Sequence, residues 1–338
     1  MPVQWVVSIG RDCGIPDNTA VSDGVHLLVP FAHCRAEGCR EALSSLQLPK
    51  LQKLLRRLVV EATDEGDPRS LSAPHERVLA RAQGLEPADG LIPFAALQAL
   101  ESGGNAGTAG WAWITPAHWR VGQDHIDMGH PQELRLDESQ SRVLHAAMAP
   151  YFAEDGITLA YDAPLRWLAR GDLFRTLPSA SLDRVIGRRI EDAWMPAGSA
   201  GRPLRRLQQE MQMLLYTLPL NDERQRDGLL PVNTFWVSGT GALPVGHAQP
   251  APNGLQVTPA LRDAALLGDW HAWATAWQQL DGREGAQLLA QAERGEPVRV
   301  TLCGEASART WTSVGAGGWR RMAGWFGSVP VAELMEGL

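Results

Sequence analysis

The stretch "GVHLLVPFAH" at residues 24–33 is an apolar run bounded by Gly24 and ended near Pro30, the pattern of a strand buried on both faces. It is followed by "LPKLQKLLRRLVVEA" (48–62), where leucine recurs at i, i+3, i+4 and i+7, the spacing of one helix face. A doubly buried strand needs helices against its sheet, and this pairing constrains the chain to an α/β fold. The same alternation continues. "PHERVLARAQGL", "PFAALQALES", "DESQSRVLHAAMAPYFAEDG", "SLDRVIGRRIEDAW", "PLRRLQQEMQMLLYTL" and "ALRDAALLGDWHAWATAWQQLDG" read as helices, the third with Asp137 as N-cap and Gly156 at its end. "TAGWAWITPAHW" reads as a strand stopping at Thr115-Pro116, "ITLAYD" and "LRWLARGD" as a hairpin, and "PVRVTLCGE" as a further strand. "LLPVNTFWVSGTGALP" (229–244) reads as a strand passing into a glycine-rich loop, and residues 317–338 as one or two closing helices.

The expected architecture is a mixed or mostly parallel sheet flanked by helices, in a single large domain over 1–338. An internal boundary is expected at the Pro/Gly-rich segment 244–259, ahead of a Trp-rich C-terminal part: six of the thirteen tryptophans follow residue 269. Trp270, Trp273 and Trp277 fall on one helix face, which periodicity assigns to the core; exposed, they would make a partner-binding surface.

The balance of 31 Lys+Arg against 38 Asp+Glu, net −7, argues against non-specific nucleic-acid binding, which needs clustered positive charge. The basic clusters "KLQKLLRR" and "RPLRRLQQE" fit solvated helix faces. No window reaches the ~18 apolar residues of a membrane span, and "MPVQWVVSIGRDCG" lacks the form of a signal peptide. A cytoplasmic protein is expected. Cys34 and Cys39 with His33, in "HCRAEGC", make half a zinc site; with no second pair at ligand spacing, reduced structural cysteines fit better.

The densest chemistry lies in "HWRVGQDHIDMGH" (118–130), with three histidines and two aspartates. Gly122 and Gly129 disfavour a helix, so the segment reads as strand, turn and exit. His118, Asp124 and His125, with His130 as a further candidate, would suit Zn or Mn with an open position for water activation. No H-E-x-x-H spacing supports that, and a binding or structural turn fits the glycines better. Downstream, Glu210 stands amid apolar residues and needs a partner if buried, while Met211, Met213, Leu214 and Leu215 read as core. Asn221, Arg224 and Asn233 flank turns and could line a polar site, Arg224 as an anion contact and Trp236 as its wall. "SGTG" (238–241) has the composition of a phosphate-cradling loop without its motif context.

"ITPAHWRVGQDHI", residues 210–244 and "LLVPFA…LPKLQKLL" together resemble the proteobacterial RpfE-type proteins, a family often labelled phosphoglycerate mutase. More remotely, "PVNTFWVSGTGALP" is similar to the A-N-x-x-W-x-W-G-x-G-x-x-P segment of archaeal-type cofactor-independent phosphoglycerate mutases, and "LPKLQKLL" to their "TPN-L-D-x-L" helix. That resemblance implies an alkaline-phosphatase-like core in reduced form and, in the family, two metal ions with a phosphorylated Ser or Thr. The chain departs from it where the family's first metal-binding strand ends in Asp-Gly: here Pro30 and Phe31 stand, and no D-x-x-G-H segment follows. The leading expectation is a non-catalytic ligand-binding or regulatory protein. It would bind a small anionic ligand or a protein partner near His118, Asp124, His125, Glu210, Asn221, Arg224, Asn233 and Trp236. The alternatives are a metal-dependent phosphohydrolase or phosphomutase using His118, Asp124 and His125, and a scaffold acting through its Trp-rich C-terminal third.

Overall fold

Consecutive branched and leucine side chains leave a strand no face to offer water, and Val25–Val29 sits inside a sheet with a neighbour on each side. The computed structural model describes residues 24–103, 106–190, 194–196, 198–247, 254–315, 335 and 338. Its backbone divides into two compact units, Met1–Pro68 with Gln249–Leu338, and Arg69–Ala248. The first begins with β1 (Val25–Val29), α1 (Glu37–Ser44), α2 (Pro49–Leu55) and β2 (Val59–Asp64). The second holds α3 (Pro74–Ala82), α4 (Phe94–Glu101), β3 (Trp111–Ala117), β4 (Trp119–Val121), β5 (Ile126–Met128) and α5 (Glu138–Glu154). It continues through β6 (Thr158–Ala163), β7 (Arg166–Arg170), α6 (Leu182–Val185), α7 (Arg202–Tyr216), α8 (Pro219–Arg226) and β8 (Thr234–Gly241). The chain then returns to the first unit with β9 (Leu255–Val257), α9 (Ala260–Leu266), α10 (Trp270–Leu280), α11 (Ala286–Glu293), β10 (Val298–Cys303) and β11 (Ala308–Thr312). The expected helices of 317–338 lie outside the described residues except at Met335 and Leu338. No described helix is long and apolar enough to cross a membrane.

The first unit is a mixed five-stranded sheet in the order β2-β11-β10-β1-β9. β1 runs parallel to β10, Val25 against Val298 through Val29 against Leu302, and parallel to β9; the other pairings are antiparallel. The leucine helix expected over 48–62 stops at Leu55, because Val59 and Val60 pair with β11 as an edge strand. Asp281 caps α2 from far along the chain, accepting from Leu51 N–H at 2.7 Å and Lys50 N–H at 3.3 Å. The helix expected over 260–282 is broken at Gly268, whose φ of +68° ends α9 before Asp269 caps α10. Trp273 and Trp277 are fully buried and meet edge to face, so their part of the tryptophan stripe is core.

The second unit holds an antiparallel sheet, β6-β7-β3-β8, over one core containing Trp167, Phe152, Phe174 and Phe235. β3 does not stop at Thr115-Pro116. Its pairing with β7 ends at Ile114 while that with β8 runs on to Ala117, so Pro116 sits where only one neighbour needs satisfying. "SGTG" is the end of β8 rather than a loop. A Cβ at Gly239 would lie 2.8 Å from the Trp113 ring, and its φ of +62° fits the register shift opposite Trp111–Trp113. The helix expected over 181–194 is one turn, Leu182–Val185, because residues 186–190 leave it to run beside β5. Asn221 and Arg224, expected to flank turns, lie inside α8.

His26 on β1 places Nε2 2.8 Å from Thr301 Oγ1. Burial, aided by the neighbouring Arg299 charge, lowers its pKa from 6.5 to about 4. The fold therefore favours neutral His26. This contribution is complete above pH 6.5 and is lost as pH falls toward 4. Urea unfolding is expected to show up to about 3 kcal/mol of pH-dependent loss across this interval from His26 alone, and His26→Gln should flatten that part of the curve.

Candidate functional site

The segment richest in donors folds as a short hairpin. β4 and β5 pair Trp119 with Met128 and Val121 with Ile126, and Gly122 N–H closes the turn on His125 O at 2.9 Å. The His125 ring lies over Gly122: a Cβ there would lie 2.6 Å from the ring and would displace it. At this exposed tip His125 Nδ1 is 2.8 Å from Asp124 Oδ1 and Nε2 is 3.3 Å from Asp127 Oδ2. Arg189 donates to Asp124 O at 2.8 Å. Hydrogen bonding to Asp124 raises the His125 pKa and lowers that of Asp124, with Arg189 adding to the latter.

His118 is not part of that tip. It precedes β4, at the hairpin's base, and its Nδ1 meets Pro231 O at 2.8 Å. Three strand residues, about 10 Å of extended chain, separate it from the turn. His130 accepts from Gln132 N–H at the start of a single helical turn. The histidines of 118–130 are thus divided among local jobs. Among the described residues no three His, Cys, Asp or Glu side chains group to hold a metal ion.

The other residues singled out in the sequence gather on the chain entering β8. Asn221 donates to Leu215 O at 2.7 Å and Val232 O at 2.8 Å and accepts from Val232 N–H at 2.9 Å. Arg224, 1% exposed, donates to Leu230 O at 3.0 Å and also reaches Leu134 O and Gln140 Oε1. Asn233 brackets Trp119, accepting its N–H at 2.7 Å and donating to its carbonyl at 2.9 Å. Trp236 is buried and donates to Ala180 O at 2.9 Å. His118, Asn221, Arg224 and Asn233 latch residues 230–233 in place, and the Arg224 guanidinium has carbonyl partners where an anion contact was expected. Glu210 is not amid the core. Leu204, Leu207, Gln208, Met211 and Leu215 form the buried face of α7, leaving Glu210 and Met213 exposed, Glu210 beside Arg206.

Sequence reasoning missed a buried polar network in the second unit. His75 Nε2 lies 3.2 Å from Asp183 Oδ2, both nearly inaccessible. Glu76 accepts Ser181 Oγ–H at 2.6 Å and Ala73 N–H at 2.9 Å, and burial pushes its pKa up. Arg184 donates to Ser70 Oγ at 2.7 Å and Ser72 O at 3.1 Å. These groups tie residues 70–76 to 181–184. The only signal was a His-Glu pair in the first turn of a helix after Pro74, which does not reveal a partner more than a hundred positions away.

In the first unit, the carboxyl ends of parallel β1 and β10 lie at one sheet edge, where α/β folds assemble ligand sites. Phe31 follows β1 with φ +55°, a left-handed backbone that a non-glycine residue rarely adopts. Trp273 Nε1–H donates to its carbonyl at 2.9 Å, and Ala32 N–H donates to Cys303 O at 2.7 Å. Behind this turn His33, Cys34, Cys39 and Cys303 are buried. Cys34 N–H reaches Cys39 Sγ at 3.3 Å. The Cys34 side chain also hydrogen-bonds that sulfur, holding the Cys39 thiol below the ordinary cysteine range against burial and the Glu305 charge. A two-ion phosphotransfer centre would need carboxylates and imidazoles here. This turn carries Pro30, Phe31, His33 and thiols, and the residues described around it make no group of three potential metal ligands.

No family model matches the chain, and no curated protein matches it. Among solved structures it is similar to a cofactor-independent phosphoglycerate mutase from Thermoplasma acidophilum, at 13% identity and a TM-score of 0.35, over 93% of this chain and 99% of that one. It is also similar to a protein from Pyrococcus horikoshii, at 12% identity and a TM-score of 0.42, over 86% and 87% of the two chains.

Two measurements check the roles assigned above. Asn221→Ala removes three buried hydrogen bonds and should lower stability by about 2–3 kcal/mol in urea unfolding. In an NMR titration His125 should titrate above the usual histidine midpoint, and Asp124→Asn should bring that midpoint down.

Proposed function

We propose that this chain is a cytoplasmic, phosphoglycerate-mutase-like protein of RpfE type that acts by binding and regulation rather than by two-metal phosphoryl transfer. The observation that supports this reading is the carboxyl end of parallel β1, which runs into Pro30, Phe31, His33 and buried thiols with no carboxylate among them. The second support is that His118, Asn221, Arg224 and Asn233 each hold backbone groups of their own unit. A small anionic ligand or protein partner would then meet the hairpin tip, where Asp124, His125, Asp127 and Arg189 are solvent-accessible and Val121 stands 79% exposed. A contact made there strengthens or weakens with His125 protonation, according to the charge it meets.

The test is direct. The purified protein should carry less than one equivalent of Mn, Zn or Mg by elemental analysis. It should not turn over phosphoglycerates or p-nitrophenyl phosphate when these ions are supplied. Stoichiometric metal together with turnover that His125→Ala abolishes would establish the phosphohydrolase alternative instead.

A further inference from the structure

We propose that Cys34 and Cys39 form a reversible dithiol–disulfide site at the carboxyl edge of the first unit's sheet. The geometry supports closure. With Cys39 Sγ 3.3 Å from Cys34 N, covalent lengths cap the Cα–Cα separation at about 7.6 Å, so the separations that a disulfide spans lie within a small local adjustment, and the Cys34 side chain already hydrogen-bonds the Cys39 sulfur. The residues differ in setting. Cys34 lies in the turn after the left-handed Phe31, and Cys39 is the third residue of α1, near the helix end that favours negative charge. The Cys34 N–H and thiol both point at the Cys39 sulfur, which makes Cys39 the attacking thiolate and Cys34 the resolving one. Both sulfurs are buried in the closed structure. α1, however, has only eight residues and buries just Cys39 and Leu43, so its local opening exposes the pair without unfolding the sheet.

The co-reactant is a low-molecular-weight disulfide. Cys39 thiolate attacks one of its sulfurs, breaking that S–S bond and releasing one small thiolate. Cys34 thiolate then attacks Cys39 Sγ of the mixed disulfide and releases the second. Two protein thiols are oxidised to one disulfide, the small disulfide is reduced to two thiols, and the two protons pass to those products. The chemistry is independent of whether the protein binds or turns over a phosphate ester, so its test stands apart from the preceding one.

The wild-type 338-residue chain is equilibrated in glutathione buffers spanning an about 100-fold range of oxidised to reduced ratio, acid-quenched, alkylated and mapped by mass spectrometry. The alkylatable fractions of Cys34 and Cys39 should fall together by about ten-fold or more, with the appearance of a Cys34–Cys39 cross-link lacking two hydrogens. Cys303→Ala should behave identically, and Cys39→Ser should leave Cys34 without that cross-link. Full alkylation of both thiols at every ratio would overturn the proposal. So would glutathione adducts without a cross-link, or a cross-link to Cys13 or Cys303.

Discussion

The parallel seating of Val25–Val29 between Leu255–Val257 and Val298–Cys303 is the contact from which the first unit is built. It joins residues far apart in the chain: His26 meets Thr301, 275 positions later. Parallel strands cannot be joined by a tight turn, so the chain must travel before it returns, and here it folds the whole of Arg69–Ala248 along the way. Loop-closure entropy has to be offset before that pairing stabilises anything. The apolar run of β1 provides the compensation, because Leu27, Leu28 and Val29 are all but inaccessible once seated.

The same seating decides what stands at the carboxyl ends of β1 and β10. Chain leaving β1 must turn at once, and Phe31 takes a left-handed conformation that a glycine would adopt more easily. Its carbonyl is held by Trp273 and its successor's N–H by Cys303 O, so packing on both sides maintains the strained residue. The thiols of Cys34, Cys39 and Cys303 are buried beside this turn. In the second unit, polar side chains serve chiefly as latches. Asn221, Arg224, Asn233 and His118 grip the chain entering β8, and the buried His75–Glu76–Asp183–Arg184 group ties residues 70–76 to 181–184.

Several elements could be read directly from residues. The Asp137 cap and Gly156 stop bracket α5 as their local chemistry requires, since Asp137 accepts Gln140 N–H at 2.8 Å and Gly156 turns with φ +72°. The β6–β7 hairpin, β1, β10 and the core tryptophans were legible for the same reason: periodicity reports which face is buried. The failures share an opposite cause. Val59–Asp64 is helix-compatible in isolation and becomes a strand because β11 offers an edge, while Pro116 is tolerated in β3 because only one neighbour remains there. The candidate site was legible as a turn, not as a set of contacts. Glycine spacing identified the hairpin, but nothing local to His118 or Arg224 could show that backbone carbonyls beyond Leu229 would occupy them.

The sequence by itself determined the α/β class, most element positions and the concentration of titratable groups at 118–130, because these depend on short-range periodicity, caps and composition. Tertiary structure alone decided which polar groups meet. It split His118 from Asp124 and His125, buried His75 against Asp183, and laid Cys39 against Cys34 at the end of β1. Side-chain chemistry acts over a few ångströms, and those separations are set by strand register and helix packing rather than by distance along the chain.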